Sequence, residues 1–220
     1  MIAKEGRIIL IPLLFITFPI GVYAHASENH FLILLYTILG LLFLFCLNFF
    51  RDPLRSIPSD KSVVVAPADG KVVKIEYIDD PNVGESAKLV SIFLNVFNVH
   101  VNRVPIDGLV VSVERKKGKF LAAFNHIASD ENEQIITLIN NESWKYKIKQ
   151  IAGLIARRIL CYAEKDMKMN KGDRLGFIRF GSRTDIIMPK QLNLKVKIGQ
   201  KVIGGETIIG TLWVKKILRD

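Results

Sequence analysis

Near the C terminus, Gly181-Ser182 sits in the stretch Phe180-Gly181-Ser182-Arg183, after a turn and a short run of alternating apolar character. Glycine takes backbone angles closed to other residues and leaves its carbonyl open to attack. A serine hydroxyl beside it is a nucleophile when a base lies near. A tight turn after a strand uses the same two residue types, so the pair alone leaves both readings open. Asn98-Val99-His100-Val101-Asn102-Arg103 brings three further chemical groups together. On an extended segment His100 and Asn102 share one face and Arg103 takes the other. Histidine is the natural proton carrier near neutral pH, and arginine can hold a phosphate or carboxylate. A solvated strand end would have the same composition. Asp69, in Ala66-Pro67-Ala68-Asp69-Gly70-Lys71-Val72, is either a catalytic carboxylate or the stabiliser of an Asp-Gly hairpin turn. No Cys/His cluster has metal-ligand spacing, so no metal is expected.

The elements that must carry these residues fall into two parts. Residues 8–24 form an uncharged apolar run interrupted by Pro12 and Pro19, and residues 31–50 form a second. At about 1.5 Å per residue these reach roughly 25 and 30 Å, enough to cross a bilayer core. Lys4 and Arg7 precede the pair and Arg51 and Arg55 follow it. The positive-inside rule then predicts a transmembrane hairpin over residues 1–55 with both ends cytoplasmic. The first run also has the features of a cleavable signal peptide. Either way the remainder, residues 56–220, is expected on the cytoplasmic side of the membrane.

Residues 1–60 are charge-neutral, so residues 61–220 carry the whole net charge of +10. That basicity suits an anionic membrane surface. Nucleic acid is not expected, because the cations are dispersed without interleaved aromatics. The two cysteines, Cys46 and Cys161, form no disulfide framework and point to a reducing compartment.

From Val63 onward, short β-branched runs alternate with Gly, Pro and Asp turns. Strands are predicted at 63–66, 71–78, 88–94, 109–113, 134–139, 145–151, 175–180, 186–188, 192–198 and 206–214. Residues 154–161 fit a helix or a strand. The fold is therefore mainly β, an antiparallel sandwich or barrel behind a helical hairpin. The Gly-punctuated stretch 196–210 looks like a hairpin of barrel-sandwich-hybrid domains of the biotinyl/lipoyl type, without their carrier lysine motif.

Six stretches in order resemble the short, membrane-anchored form of phosphatidylserine decarboxylase. They are Phe50-Arg51-Asp52-Pro53, Ala66-Pro67-Ala68-Asp69-Gly70, Asn98-Val99-His100-Val101-Asn102-Arg103, Ala128-Ser129-Asp130-Glu131-Asn132-Glu133, Gln150-Ile151-Ala152-Gly153 with Ala156-Arg157-Arg158, and Arg179-Phe180-Gly181-Ser182-Arg183. The resemblance implies a self-processing proenzyme cut between Gly181 and Ser182. The Ser182 hydroxyl would attack the Gly181 carbonyl, and elimination and loss of ammonia would leave a covalent pyruvoyl group at position 182. Fragments 1–181 and 182–220 would stay associated, and a homo-oligomer is compatible with this. The pyruvoyl group would form a Schiff base with phosphatidylserine, act as the electron sink for loss of CO₂, and yield phosphatidylethanolamine. His100 matches the proton donor and Asp69 the aspartate that supports serine activation; Asn102 and Arg103 are the substrate-binding candidates. Longer family members carry a second histidine where this chain has Arg103, with His126 and Asp107 as candidates for its role.

Two other readings compete. A membrane-anchored barrel-sandwich adaptor would explain the 196–210 stretch, and an unprocessed serine hydrolase would use Ser182 directly. An uncut chain would mark either.

Overall fold

The computed structural model describes residues 1–119, 131–141, 144–153, 158–179 and 182–212. They form two compact units, 1–54 and 55–220.

In the first unit, a single 3-10 turn at Lys4–Gly6 leads into helix α1, Arg7–Ser27, followed by α2, His30–Phe49. Glu28 takes a left-handed conformation (φ 49°) that ends α1. Asn29 caps α2, its side-chain oxygen accepting from the N–H groups of Phe31 and Leu32 at 3.0 and 3.3 Å. That satisfies two of the donors a helix start leaves open. The helices meet where a Cβ on Gly21 would stand 2.5 Å from the Tyr36 ring. Both are long and apolar enough to cross a membrane.

The second unit is mostly strand, as expected. Its largest element is a curled eight-stranded sheet, a half-barrel. The order is β13 (Lys201–Val202), β2 (Gly70–Asp80), β3 (Gly84–Leu94), β11 (Ser182–Met188), β7 (Trp144–Ile151), β6 (Gln134–Asn141), β5 (Gly108–Lys116), β9 (Lys168–Met169). One three-stranded sheet joins β4 (Val101–Arg103), β10 (Arg174–Ile178) and β8 (Ile159–Cys161). Another joins β1 (Val63–Val65), β14 (Ile208–Thr211) and β12 (Asn193–Leu194). Alternation sends Val90, Ile92, Ile148 and Ile186 of the large sheet into the main core, against Leu175 from one small sheet, Val104 just after β4, and Val64 and Ile209 from the other small sheet. Bulges in β2 after Val72 and after Ile78 add local twist and help the sheet curl.

Three local expectations change. Asp69-Gly70 is not a hairpin turn, since β1 and β2 run into different sheets. Gly70 is there because a Cβ would fall 2.2 Å from the Phe93 carbonyl oxygen. Residues 196–210 are likewise no hairpin: β13 pairs with β2, whereas β14 pairs with β1 and β12. Of residues 154–161, Ile159–Cys161 is strand and 154–157 lie outside the described residues.

Candidate active site

Two short connections converge on the candidate residues. Ser182 opens β11 and pairs with Leu94, the last residue of β3. Beyond Leu94 the chain makes a tight turn, in which Asn98 N–H donates to the Asn95 carbonyl at 3.0 Å. The Asn98 side chain accepts from Asn95 N–H, and the Asn95 side chain from Phe97 N–H, both at 2.9 Å. His100 follows. On the other side, Ile178 at the end of β10 donates its N–H to the His100 carbonyl at 3.3 Å. Only residues 179–181 separate Ile178 from Ser182, so their Cα atoms lie at most about 15 Å apart.

His100 and Ser182 are both buried. The His100 ring packs near Phe177, with centroids 6.4 Å apart, and its Nδ1 lies 2.9 Å from the Asn98 carbonyl oxygen. The neutral tautomer that donates this hydrogen bond keeps its lone pair on Nε2, the form a general base requires. The Ser182 hydroxyl is buried and makes no hydrogen bond to any described residue. Such a group carries a desolvation cost unless something else engages it.

Asn102 sits two residues after His100 and is fully committed to bridging the sheets. Its amide donates to Thr184 Oγ1 at 3.1 Å and its carbonyl accepts from Gln150 Nε2 at 2.8 Å. Thr184 and Gln150 are cross-strand partners in β11 and β7, and all three residues are buried. The bridge needs Gly176, which pairs with Asn102. A Cβ there would stand 2.1 Å from the Leu160 carbonyl oxygen and 2.6 Å from Gln150 Nε2. Arg103 donates from Nη1 to the Gly172 carbonyl at 3.0 Å.

Asp69 lies in the connection from β1 to β2, which is tied to β4 by Arg103 N–H donating to the Pro67 carbonyl at 2.8 Å. Both of its oxygens accept from Arg55 Nη2 at 2.9 Å, and Oδ1 also accepts from Gly204 N–H at 2.8 Å. Asp107 takes the Lys171 N–H at 2.7 Å. Phe180, Gly181, His126 and Arg157 lie outside the described residues. Among those described, no three His, Cys, Asp or Glu side chains form a metal site.

The opposite face of the large sheet carries polar groups that pattern reading missed. Arg183 Nε donates to Asp185 Oδ1 at 2.6 Å, and Arg183 Nη2 to Ser91 Oγ at 2.6 Å. Arg183 and Asp185 are each only 1% exposed. Lys147 pairs with Asp80 at 2.7 Å, also buried. Burial alone would raise the Asp80 carboxyl pKa, but hydrogen bonds from Lys147 and from the N–H groups of Asn82 and Val83 hold it below its ordinary value. The available signal was polarity within apolar strands: Thr184 and Gln150 at inward positions, and Arg183 and Asp185 on the other face of β11, interrupt runs of apolar residues.

The family model for phosphatidylserine decarboxylase matches residues 42–210. The chain belongs to the phosphatidylserine decarboxylase family. It is 43% identical over 203 residues to the phosphatidylserine decarboxylase proenzyme of Chlorobaculum tepidum, covering 92% of this chain and 89% of that one. Similarity to the proenzyme of Cupriavidus taiwanensis extends over 98% of this chain and 97% of the relative, at 43% identity. The proenzyme of Wolbachia pipientis wMel is 47% identical over 175 residues, 77% of this chain and 76% of its own length. Membership of the phosphatidylserine decarboxylase family makes the chain a carboxy-lyase of the proenzyme type, and all six resembling stretches begin within the matched span.

Proposed function

We propose that this protein decarboxylates phosphatidylserine to phosphatidylethanolamine, using a pyruvoyl group made by cleaving its own chain between Gly181 and Ser182. One observation carries the reading: the nucleophile candidate is a buried hydroxyl, unbonded to any described residue, at the first position of a central strand directly after glycine. Attack by Ser182 Oγ on the Gly181 carbonyl converts the amide to an ester. Loss of the Cα proton then expels the Gly181 carboxylate and leaves dehydroalanine. Water enters and ammonia leaves to give the pyruvoyl group. Once formed, this group supplies a carbonyl that takes the substrate amine and accepts the electron pair released with CO₂.

His100 removes the Ser182 proton during cleavage and returns a proton to the substrate carbon during turnover. Its backbone carbonyl is fixed by Ile178 N–H and its ring Nδ1 by the Asn98 carbonyl, which together hold the ring in place for both. Asp69 is the carboxylate matched to serine activation, and Arg55 and Gly204 N–H hold it in position. Asn102 acts by holding β4 to β11; Arg103 remains the candidate for the substrate anion. Two membrane-spanning helices within residues 1–55 anchor a catalytic domain, residues 56–220, on the cytoplasmic face. The basic flanks Lys4, Arg7, Arg51 and Arg55 support this orientation. Fragments 1–181 and 182–220 stay together through the β11 pairings.

Denaturing electrophoresis with intact mass analysis, run beside Ser182→Ala, tests the reading. The expected result is a light fragment beginning at position 182, blocked to N-terminal sequencing, and an Ala variant that stays whole. An active wild-type chain that is uncut, with Ser182 unmodified, sinks it and favours the hydrolase.

A further inference from the structure

The turn between β3 and His100 presents Phe97 to solvent, 65% exposed. Hydrophobic residues scattered singly on a surface need no explanation, but this one has a particular setting. Its turn is held by Asn95 N–H donating to the Asn98 side chain and Phe97 N–H donating to the Asn95 side chain, so the ring is displayed by a fixed backbone. Three residues on, His100 is buried. The tip therefore projects from the same short connection that carries the candidate base.

The charge around it is one-sided. Residues 86–106, 143–163 and 174–184, which supply most of β3, all of β4, β7, β8 and β10 and the start of β11, contain ten Lys and Arg and no Asp or Glu; Glu85 stands at the end of β3 away from Phe97. Three acids that reach these elements are paired: Asp185 with Arg183, Asp80 with Lys147, Glu133 with Arg115. Arg158 and Arg179 remain near the site. Arg179 N–H donates to the Arg158 carbonyl, directly after the Ile178 that bonds His100. Arg158 is exposed, and the Arg179 Nε is buried without a hydrogen bond to any described residue.

We infer that Phe97, together with Arg158 and Arg179 at the ends of the strand pair bonded to the His100 segment, is the element by which the β domain docks onto an anionic bilayer, with the ring in the headgroup boundary and the guanidinium groups at the phosphates. An aromatic ring favours that boundary, and each cation near an anionic surface adds attraction. Docking there brings the mouth of the His100–Ser182 region to the depth of a phospholipid headgroup. The inference rests on the decarboxylase reading for its purpose but not for its measurement.

The test uses the full chain carrying Trp144→Phe, Trp213→Phe and Phe97→Trp, reconstituted in phosphatidylcholine vesicles with or without phosphatidylglycerol. Lipids brominated near the glycerol end of their chains should quench the remaining indole, more strongly with phosphatidylglycerol present. Arg158→Glu in the same background should reduce that quenching. Emission typical of a water-exposed indole, with no bromolipid quenching in the anionic vesicles, overturns the inference. Electrophoresis of the same sample separates the two claims. An uncut chain with a quenched indole fails the decarboxylase reading and keeps this one, and a cut chain with an unquenched indole does the reverse.

Discussion

Asn102 donates its side-chain amide to Thr184 Oγ1 at 3.1 Å, and so ties the strand that follows His100 to the strand that begins with Ser182. Gln150 completes the link from the opposite side. The catalytic candidates are thus held in register by a buried polar bridge between two sheets.

Removing that bridge leaves polar partners stranded. Asn102→Ala should lower stability by about 1–3 kcal/mol, because Thr184 and Gln150 lose a buried partner. It should also slow self-cleavage, since His100 and Ser182 are no longer indexed to each other. A thermal unfolding midpoint in detergent and a time course of the 1–181 fragment check the two effects. Unchanged stability would mean that water replaces the amide.

His100→Gln retains a similar volume and loses the base. The variant should accumulate as the uncut 24.9 kDa chain, with an unfolding midpoint close to that of Ser182→Ala. Cleavage at the wild-type rate would remove His100 from the maturation step.

The Asp80–Lys147 pair gives a pH signature. The folded-state pKa of Asp80 lies below its ordinary value, so its contribution to stability is present above the unfolded pKa of about 4 and is lost as pH falls through the folded value. Asp80→Asn should therefore be less stable than wild type near pH 7, with the difference shrinking towards acid. Lys147→Met should be the more damaging change, by about 3–5 kcal/mol, because it leaves a buried carboxylate without its cation. Unfolding midpoints measured across pH 3–7 (about the range in which a carboxylate changes charge) decide both.

Glycines separate by what surrounds them. Gly176→Ala should destabilise the β domain by more than about 2 kcal/mol, since the new methyl would overlap the Leu160 carbonyl and Gln150. Gly40→Ala, where nothing lies within 4 Å, should leave stability unchanged or slightly raised, as alanine favours a helix. Equal effects at the two positions would contradict the packing around Gly176.

Local pattern was enough for some of this architecture and not for the rest. The two apolar helices are continuous in sequence, so length and hydropathy reveal them. Most strands are equally local, because β-branched runs between turn residues need no partner to be seen. Pairing is a long-range property. Asp69-Gly70 has the composition of a hairpin turn, yet Gly70 answers to the Phe93 carbonyl in another strand. The bond between the His100 segment and β10, the strand that precedes Ser182, was not legible in the sequence, since the distant Ile178 backbone makes it. The Asn102–Gln150–Thr184 bridge was hidden for a related reason. A polar residue at an inward position reads as an irregularity until its partners are known.

β11 lies between β3 and β7, bonded to both, although it follows both in the chain. During synthesis β3 and β7 must wait with one edge each unpaired, while the apolar helices have already emerged. The eight-stranded sheet can close only after residues 182–188 leave the ribosome, and unpaired edges are open to wrong partners until then. On the proposed self-cleavage, maturation would wait for this strand: a product truncated before residue 182 lacks the strand on which Ser182 is mounted, and has nothing to cut.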